Sequence, residues 1–522
     1  MLGSPCSHPR SPPRLLRFPV MVNHLLRSLD PGSAANSLVA HVLDRRTGST
    51  SPGRAVVRSA SVVLAVALSA IAPVRAEGLP PHQAFALDVF KELVEINTVT
   101  ATGDTGRAAD AMAARLRAAG FADADVQVFK PAPRKGNLVA RLRGTGAKRP
   151  MLLLAHLDVV PASRDDWSVE PFSFLEQDGY YYGRGTSDDK FMAAAFVANL
   201  IRYRQEGYRP DRDIILALET DEEIIDRDAL GIQWLIRNHR ELIDAEFAIN
   251  EGGGVGLRGG KPVRTSVQTS EKVYQSYRLE VRNRGGHSAV PNRDNAIYRL
   301  AEALVRLSNF NFPFRLNETT RAYFDRAAAL ENPQLAADMR SVASGHPDLA
   351  ALSVTRLSAN PVYNAQLRTT CVATMLEGGH AENALPQLAR ATINCRIMPG
   401  EPVEEVQATL VRVVADDQIS VTPLNEATLS EPSPLHQEIM GAIETVTAEL
   451  WPGIPVIPTM SAGATDGSHL RNAGIPTYGH SGLAGDIDDQ RAHGKDERVL
   501  AKSFFDGVEY QYRLVKLLAG GG

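Results

Sequence analysis

The sequence predicts an α/β protein: a central sheet with helices on both faces, interrupted by a smaller α+β unit. Three observations predict it. Between residues 80 and 270, helical apolar spacing alternates with short continuous apolar runs, the pattern of buried strands joined through helices. After about residue 270 the texture changes to alternating strands, and beyond about 400 the first texture returns. The chain is also long enough for several cores, with 522 residues that are 44% hydrophobic and 22% charged. Those fractions exclude a disordered, collagen-like or coiled-coil chain.

Residues 1–76 read as an address label. They hold nine Arg against two Asp, a net of +7, and leave −11 on the remaining 446 residues of a chain whose total is −4. Residues 60–73 (ASVVLAVALSAIAP) form a short apolar run after Arg54 and Arg58, followed by Val74-Arg75-Ala76. Basic flank, short apolar core and small-residue exit describe a secretory signal peptide, hence a secreted or periplasmic product. The run is shorter than the roughly twenty residues a membrane helix needs, so no stable span is expected after processing. The Pro-, Ser- and Arg-rich stretch before it suggests that translation begins further in, at Met21 or at a Val near 56. An acidic body without a basic stripe argues against nucleic acid as a partner.

The mature chain divides by texture into 77–269, 270–400 and 401–522. Two helices are expected in 80–120, then strands at NLVARLRG, PMLLLAHLDVV, DIILALET and EFAIN, with a helix over 191–204. The middle block contributes alternating YQSYRLEVRNR, LRTTCVATMLEG and ARATINCRIMPG around an amphipathic AIYRLAEALVRLS. Helices at PLHQEIMGAIETVTAEL and DERVLAKSFFDGVEYQYRLVKLL complete the outer unit. The simplest organisation is one α/β domain built from both ends of the chain, with the middle block inserted. Three Cys, at 6, 371 and 395, are too few for a disulfide scaffold. A hairpin centred on residue 383 brings Cys371 opposite Cys395, where an oxidising compartment permits pairing.

The chemistry sits where apolar strands end. His156 and Asp158 are two apart at one strand end, so both side chains leave on one face. A metal-bound His usually donates its other ring N–H to a carboxylate, which fixes its tautomer. Asp188, in GRGTSDDK, precedes a helix; it fits either a bridge between two cations or an N-cap, and Asp189 is its rival. Glu222 and Glu223 are adjacent at another strand end, where one acid can bind metal while its neighbour acts as a base. Glu251 ends a further strand before three glycines that allow close backbone approach. His493 lies in a late polar loop, with His469 and His480 as rivals. Strand ends of one α/β sheet converge on one crevice. Two His and three carboxylates suit a zinc pair sharing one bridging carboxylate.

HLDVVP, GRGTSDDK, TDEE, NEGGG, RGGHSAVP, GATD and AHGKDE occur in this order over roughly 85–515. Together they resemble the M20 metallopeptidases, the aminoacylase, carboxypeptidase G2 and succinyl-diaminopimelate desuccinylase group. The resemblance implies a zinc-peptidase-like catalytic domain with an inserted lid and dimerisation domain. It implies that His156 and Glu251 hold one zinc, Glu223 and His493 the other, and Asp188 both, through a cis Asp188–Asp189 peptide. Asp158 would orient His156, and Glu222 would be the general base. His287 would face the oxyanion, while Arg396, Asn383, Gly463 and Thr465 would contact the substrate. The implied reaction is hydrolysis of an amide bond in small peptides or N-acyl amino acids, by a homodimer with two zinc ions per subunit, Co²⁺ or Mn²⁺ also being admissible at the zinc positions. The alternatives are an inactive binding protein of the same fold and an exopeptidase acting from the N-terminus.

Overall fold

The computed structural model describes residues 78–224 and 229–521. The leader expected at 1–76 lies outside the described residues. Among the described residues, no helix is long and apolar enough to cross a membrane.

Among the described residues, ten strands form the large sheet. At its centre Ile214–Glu219, Met151–His156, Phe247–Asn250 and Thr477–Gly479 lie side by side and parallel. The first three are buried along their whole length, which explains their unbroken apolar sequence: helices cover both faces. Period-two alternation then sorts the side chains. Met151, Leu153 and Ala155 join the core under the helices Pro81–Glu95, Lys190–Gln205 and Ala501–Ala519, whereas Leu152 and Leu154 pack with Ile232, Leu235 and Leu470 on the other face. Each such fully buried Leu contributes about 1.5–3 kcal/mol by leaving water. The helices expected within 80–120 are present as Pro81–Glu95 and Thr105–Ala118.

The strand Lys261–Glu271 of the large sheet continues through Lys272 into Val273–Arg282 of a separate four-stranded antiparallel sheet. Its other strands are Thr370–Gly378, Leu388–Ile397 and Ile419–Pro423. Ala389, Ala391, Ile393, Cys395 and Ile397 alternate inward under the helices Ala296–Ser308 and Val403–Val414. Arg390, Thr392, Asn394 and Arg396 point to the opposite face. Cys371 and Cys395 face each other in the register of two neighbouring strands and form a disulfide, with Cα atoms 4.1 Å apart.

Two features differ from the sequence expectation. The four-stranded sheet does not end near residue 400: Ile419–Pro423 pairs with Val273–Arg282, and Val403–Val414 covers the same core. Texture could not show this, because an amphipathic helix and a short strand look alike in either unit. Nor does all of 270–400 belong to that sheet. Tyr323 and Phe324, in the helix Glu318–Ala327, share a core with Ile457 of Val456–Ser461, a strand of the large sheet.

Candidate active site

Parallel strands end on one edge, and the expected site residues are there. His156 is the last residue of its strand, Glu222 and Glu223 follow Ile214–Glu219, and Glu251 follows Phe247–Asn250. Asp188 arrives from the turn before Lys190–Gln205, across a cis Asp188–Asp189 peptide. Fully buried Glu497 holds this turn. Its carboxylate accepts from Gly185 N (3.0 Å), Ser187 N (2.8 Å), Ser187 Oγ (2.8 Å) and Asp188 N (3.2 Å), and pairs with buried Arg184 at 2.6 Å.

The Asp188 carboxylate stands between two imidazoles. His156 Nε2 is 3.0 Å from Oδ1, and His493 Nε2 is 3.1 Å from Oδ2. Glu223 is also 3.1 Å from His493 Nε2. Ligand atoms of His156, Asp188 and Glu223 lie within 4.8 Å of one another, as do those of His156, Glu222 and Glu251. Asp189 belongs to neither group. His156 is buried, whereas the His493 side chain is 57% exposed and so closes the cluster from the solvent side.

Asp158 acts differently from the expected His156 orienter. Its backbone carbonyl is 3.0 Å from His156 Nδ1, while its carboxylate is 3.8 Å away. The carboxylate instead accepts the amides of Glu222 (3.2 Å) and Glu223 (3.1 Å). Asp158 therefore positions the acidic pair, and its main chain sets the His156 tautomer.

The electrostatics are those of acids crowded out of water. Burial, with acidic neighbours adding to it, pushes Glu222 and Glu251 well above the usual carboxylate range and Glu223 up to about 7. Burial opposes ionisation of Asp188 too, but hydrogen bonds from His156 and His493 outweigh it and hold that carboxyl below its ordinary value. The bond to Asp188 raises His493 to about 9. Close, buried carboxylates set among imidazole nitrogens suit divalent cations with N/O preference.

Neither rival His joins this cluster. His480 is buried, its Nδ1 is 2.9 Å from Ser266 O, and burial depresses it to about 4. His469 Nε2 meets Gln233 Nε2 at 3.1 Å.

The expected substrate contacts fall into two groups. His287 and Asn383 are exposed on a short ribbon that pairs Gly286–His287 with Ala384–Leu385, where Ser288 N donates to Asn383 O (3.1 Å). Arg396 lies on the outward face of the four-stranded sheet, its guanidinium 4.7 Å from the centre of the Tyr274 ring, and its Nη1 donates to Ala462 O (3.0 Å) beside Gly463. Thr465 differs from expectation: its N and Oγ1 both donate to Glu271, at 2.9 and 2.7 Å, so it anchors the loop. Sequence reasoning missed Glu497 and Glu271. Only the position of Glu497 within the AHGKDE motif could have drawn attention to it.

Comparison with known proteins identifies the family. Residues 152–517 match the model of peptidase family M20/M25/M40. The probable carboxypeptidase S-like 2 of Dictyostelium discoideum is 31% identical over 382 residues, covering 70% of this chain and 71% of its own. The human N-fatty-acyl-amino acid synthase/hydrolase PM20D1 is 30% identical over 376 residues, covering 70% and 74%. Among solved structures, the M20 family metallo-carboxypeptidase Sso-CP2 from Sulfolobus solfataricus superposes with a TM-score of 0.60 at 19% identity, over 83% of this chain and 99% of that one. A dinuclear metal binding peptidase of the M20 family from Bacillus subtilis gives 0.53 at 11% identity, over 84% and 98%. The chain therefore belongs to peptidase family M20/M25/M40, and is a hydrolase of amide bonds.

Proposed function

We propose that this chain is an exported di-zinc hydrolase that cleaves an amide bond in dipeptides or N-acyl amino acids bearing a free carboxylate. The observation that carries the reading is Asp188 set between His156 and His493, one oxygen to each, with Glu223 and Glu251 on either side. His156, Glu251 and Asp188 would hold one ion, and Glu223, His493 and Asp188 the other. When bound, the ions supply an acidified water and positive charge for the developing oxyanion.

The chain's own residues do the rest. Glu222, whose proton affinity burial raises, takes a proton from the attacking water as the carboxylate and returns it to the leaving amine. Asp158 keeps Glu222 and Glu223 apart in direction through their amides. His287 donates to the oxyanion. Because it lies on the exposed ribbon rather than at the strand ends, we assign it to closure of the lid in a homodimer, where it reaches the partner's site. Arg396 and Asn383 take the substrate carboxylate, a pairing for which a guanidinium fork is suited. Export rests on the 60–76 segment.

The test blocks one end of a dipeptide at a time in the metal-loaded enzyme. Amidation of the carboxylate should stop turnover, whereas N-acetylation should be tolerated. The opposite pattern would make it an N-terminal exopeptidase, and absence of turnover with every compound would make it a binding protein.

A further inference from the structure

A buried acid outside the cluster governs the loop against which Arg396 rests. Glu271 is the last residue of Lys261–Glu271, at the crossing between the two sheets, and is 3% exposed. Its Oε1 accepts from Gln268 Nε2 (3.1 Å), Thr465 Oγ1 (2.7 Å) and Arg471 Nη2 (2.9 Å), and its Oε2 from Thr465 N (2.9 Å). Arg471 is also buried and is fixed in turn by Ser430 Oγ at 2.8 Å. The carboxylate thus holds the far end of loop 461–465. The near end is held by the next residue, since Lys272 N donates to Ser461 O (2.9 Å).

Between these two anchors lies the Ala462 carbonyl, which accepts Nη1 of Arg396 at 3.0 Å. Arg396 comes from the other sheet, where Asn394 Oδ1 accepts its Nε at 3.3 Å and Tyr274 lies under it. Its orientation is therefore shared between a rigid strand and a loop that Glu271 pins. A guanidinium recognises a carboxylate through the direction of its fork as well as its charge. A small shift of the Ala462 carbonyl would turn the fork away.

We propose that Glu271 is a positioning residue for carboxylate recognition: by pinning Thr465 it fixes the Ala462 carbonyl that aims Arg396. This rests on the reading that Arg396 binds the substrate carboxylate. Glu271 itself touches no reacting atom.

The experiment compares N-acetyl-L-leucine with its C-terminal carboxamide in the full-length, metal-loaded enzyme. Glu271→Gln, which keeps the shape and removes the charge, should raise KM for the acid about tenfold with kcat changed less than about twofold, and leave unchanged the inhibition constant of the carboxamide, which binds without turnover. Glu271→Asp, which retains the charge, should recover part of the loss. Should Glu271→Gln fail to fold, Thr465→Val removes one donor to the same carboxylate and should give the same split. An equal change for both compounds, or a fall in kcat at constant KM, would overturn the proposal. If wild type prefers the acid and Arg396→Ala abolishes that preference while Glu271→Gln retains it, only the role of Glu271 falls. If wild type shows no preference for the acid, the carboxylate reading falls and the proposal with it.

Discussion

Removal of Glu497 should cost both stability and metal affinity, because one buried carboxylate neutralises Arg184 and organises the turn that presents Asp188. The Arg184 and Glu497 side chains are 3% and 0% exposed and meet at 2.6 Å. In Glu497→Ala the guanidinium stays buried without its counter-charge, a loss of about 3–5 kcal/mol. The amides of Gly185, Ser187 and Asp188 lose their acceptor at the same time. Unfolding entropy for a body of this size converts that cost into a fall in Tm of roughly 3–5 °C. Glu497→Gln retains an acceptor oxygen but turns an NH₂ toward donors, so about 1–3 kcal/mol is expected. Because Asp188 sits at the end of the disturbed turn, zinc affinity should drop about 10- to 100-fold. Thermal melts with and without a chelator, together with competition against a chromophoric zinc indicator, measure the two effects. A Glu497→Ala variant that melts and binds zinc like wild type would refute the reasoning.

Asp338 supplies a test by pH. Arg356 beside it, with its Nε 2.7 Å from Oδ2, holds that carboxyl down at about 2. A folded value below the unfolded one contributes stability above about pH 4 that is lost as pH falls toward 2. Asp338→Asn should therefore lose about 1–2 kcal/mol at pH 7, discounted for the half-exposed Arg356, and less at pH 3 in urea melts; an equal loss at both would contradict the assignment. Mixing inactive His287→Ala chains with inactive Glu222→Ala chains under subunit exchange should restore activity approaching half that of a wild-type dimer in mixed pairs. No recovery despite verified exchange would mean that His287 does not act across the dimer.

The strand-end residues were legible because each stands where an apolar run gives way to an acid or imidazole, and parallel strands bring such ends together. His156, Glu222, Glu223 and Glu251 meet for that reason. Glu497 was not legible: an acid in a polar loop reads as solvent-facing until Arg184, more than 300 positions earlier, is packed against it. The same holds for Glu271, whose partners Thr465 and Arg471 follow almost 200 residues later. Alternation identified the strand Leu388–Ile397, yet could not say that Ile419–Pro423 would join its sheet, since pairing is non-local. Cys371 opposite Cys395 was legible, because facing residues in adjacent strands follow from the turn between them.

The most direct test of the central claim is the metal content of Glu222→Gln. Glu222 stands within 4.8 Å of His156 and Glu251 in ligand-atom distance, so its place alone suits a ligand as well as a base. As the base, Glu222 is dispensable for metal binding: elemental analysis should find two zinc ions per chain in wild type and in Glu222→Gln, with turnover abolished in the variant. Loss of a full zinc equivalent from Glu222→Gln would contradict it, and would place Glu222 among the ligands.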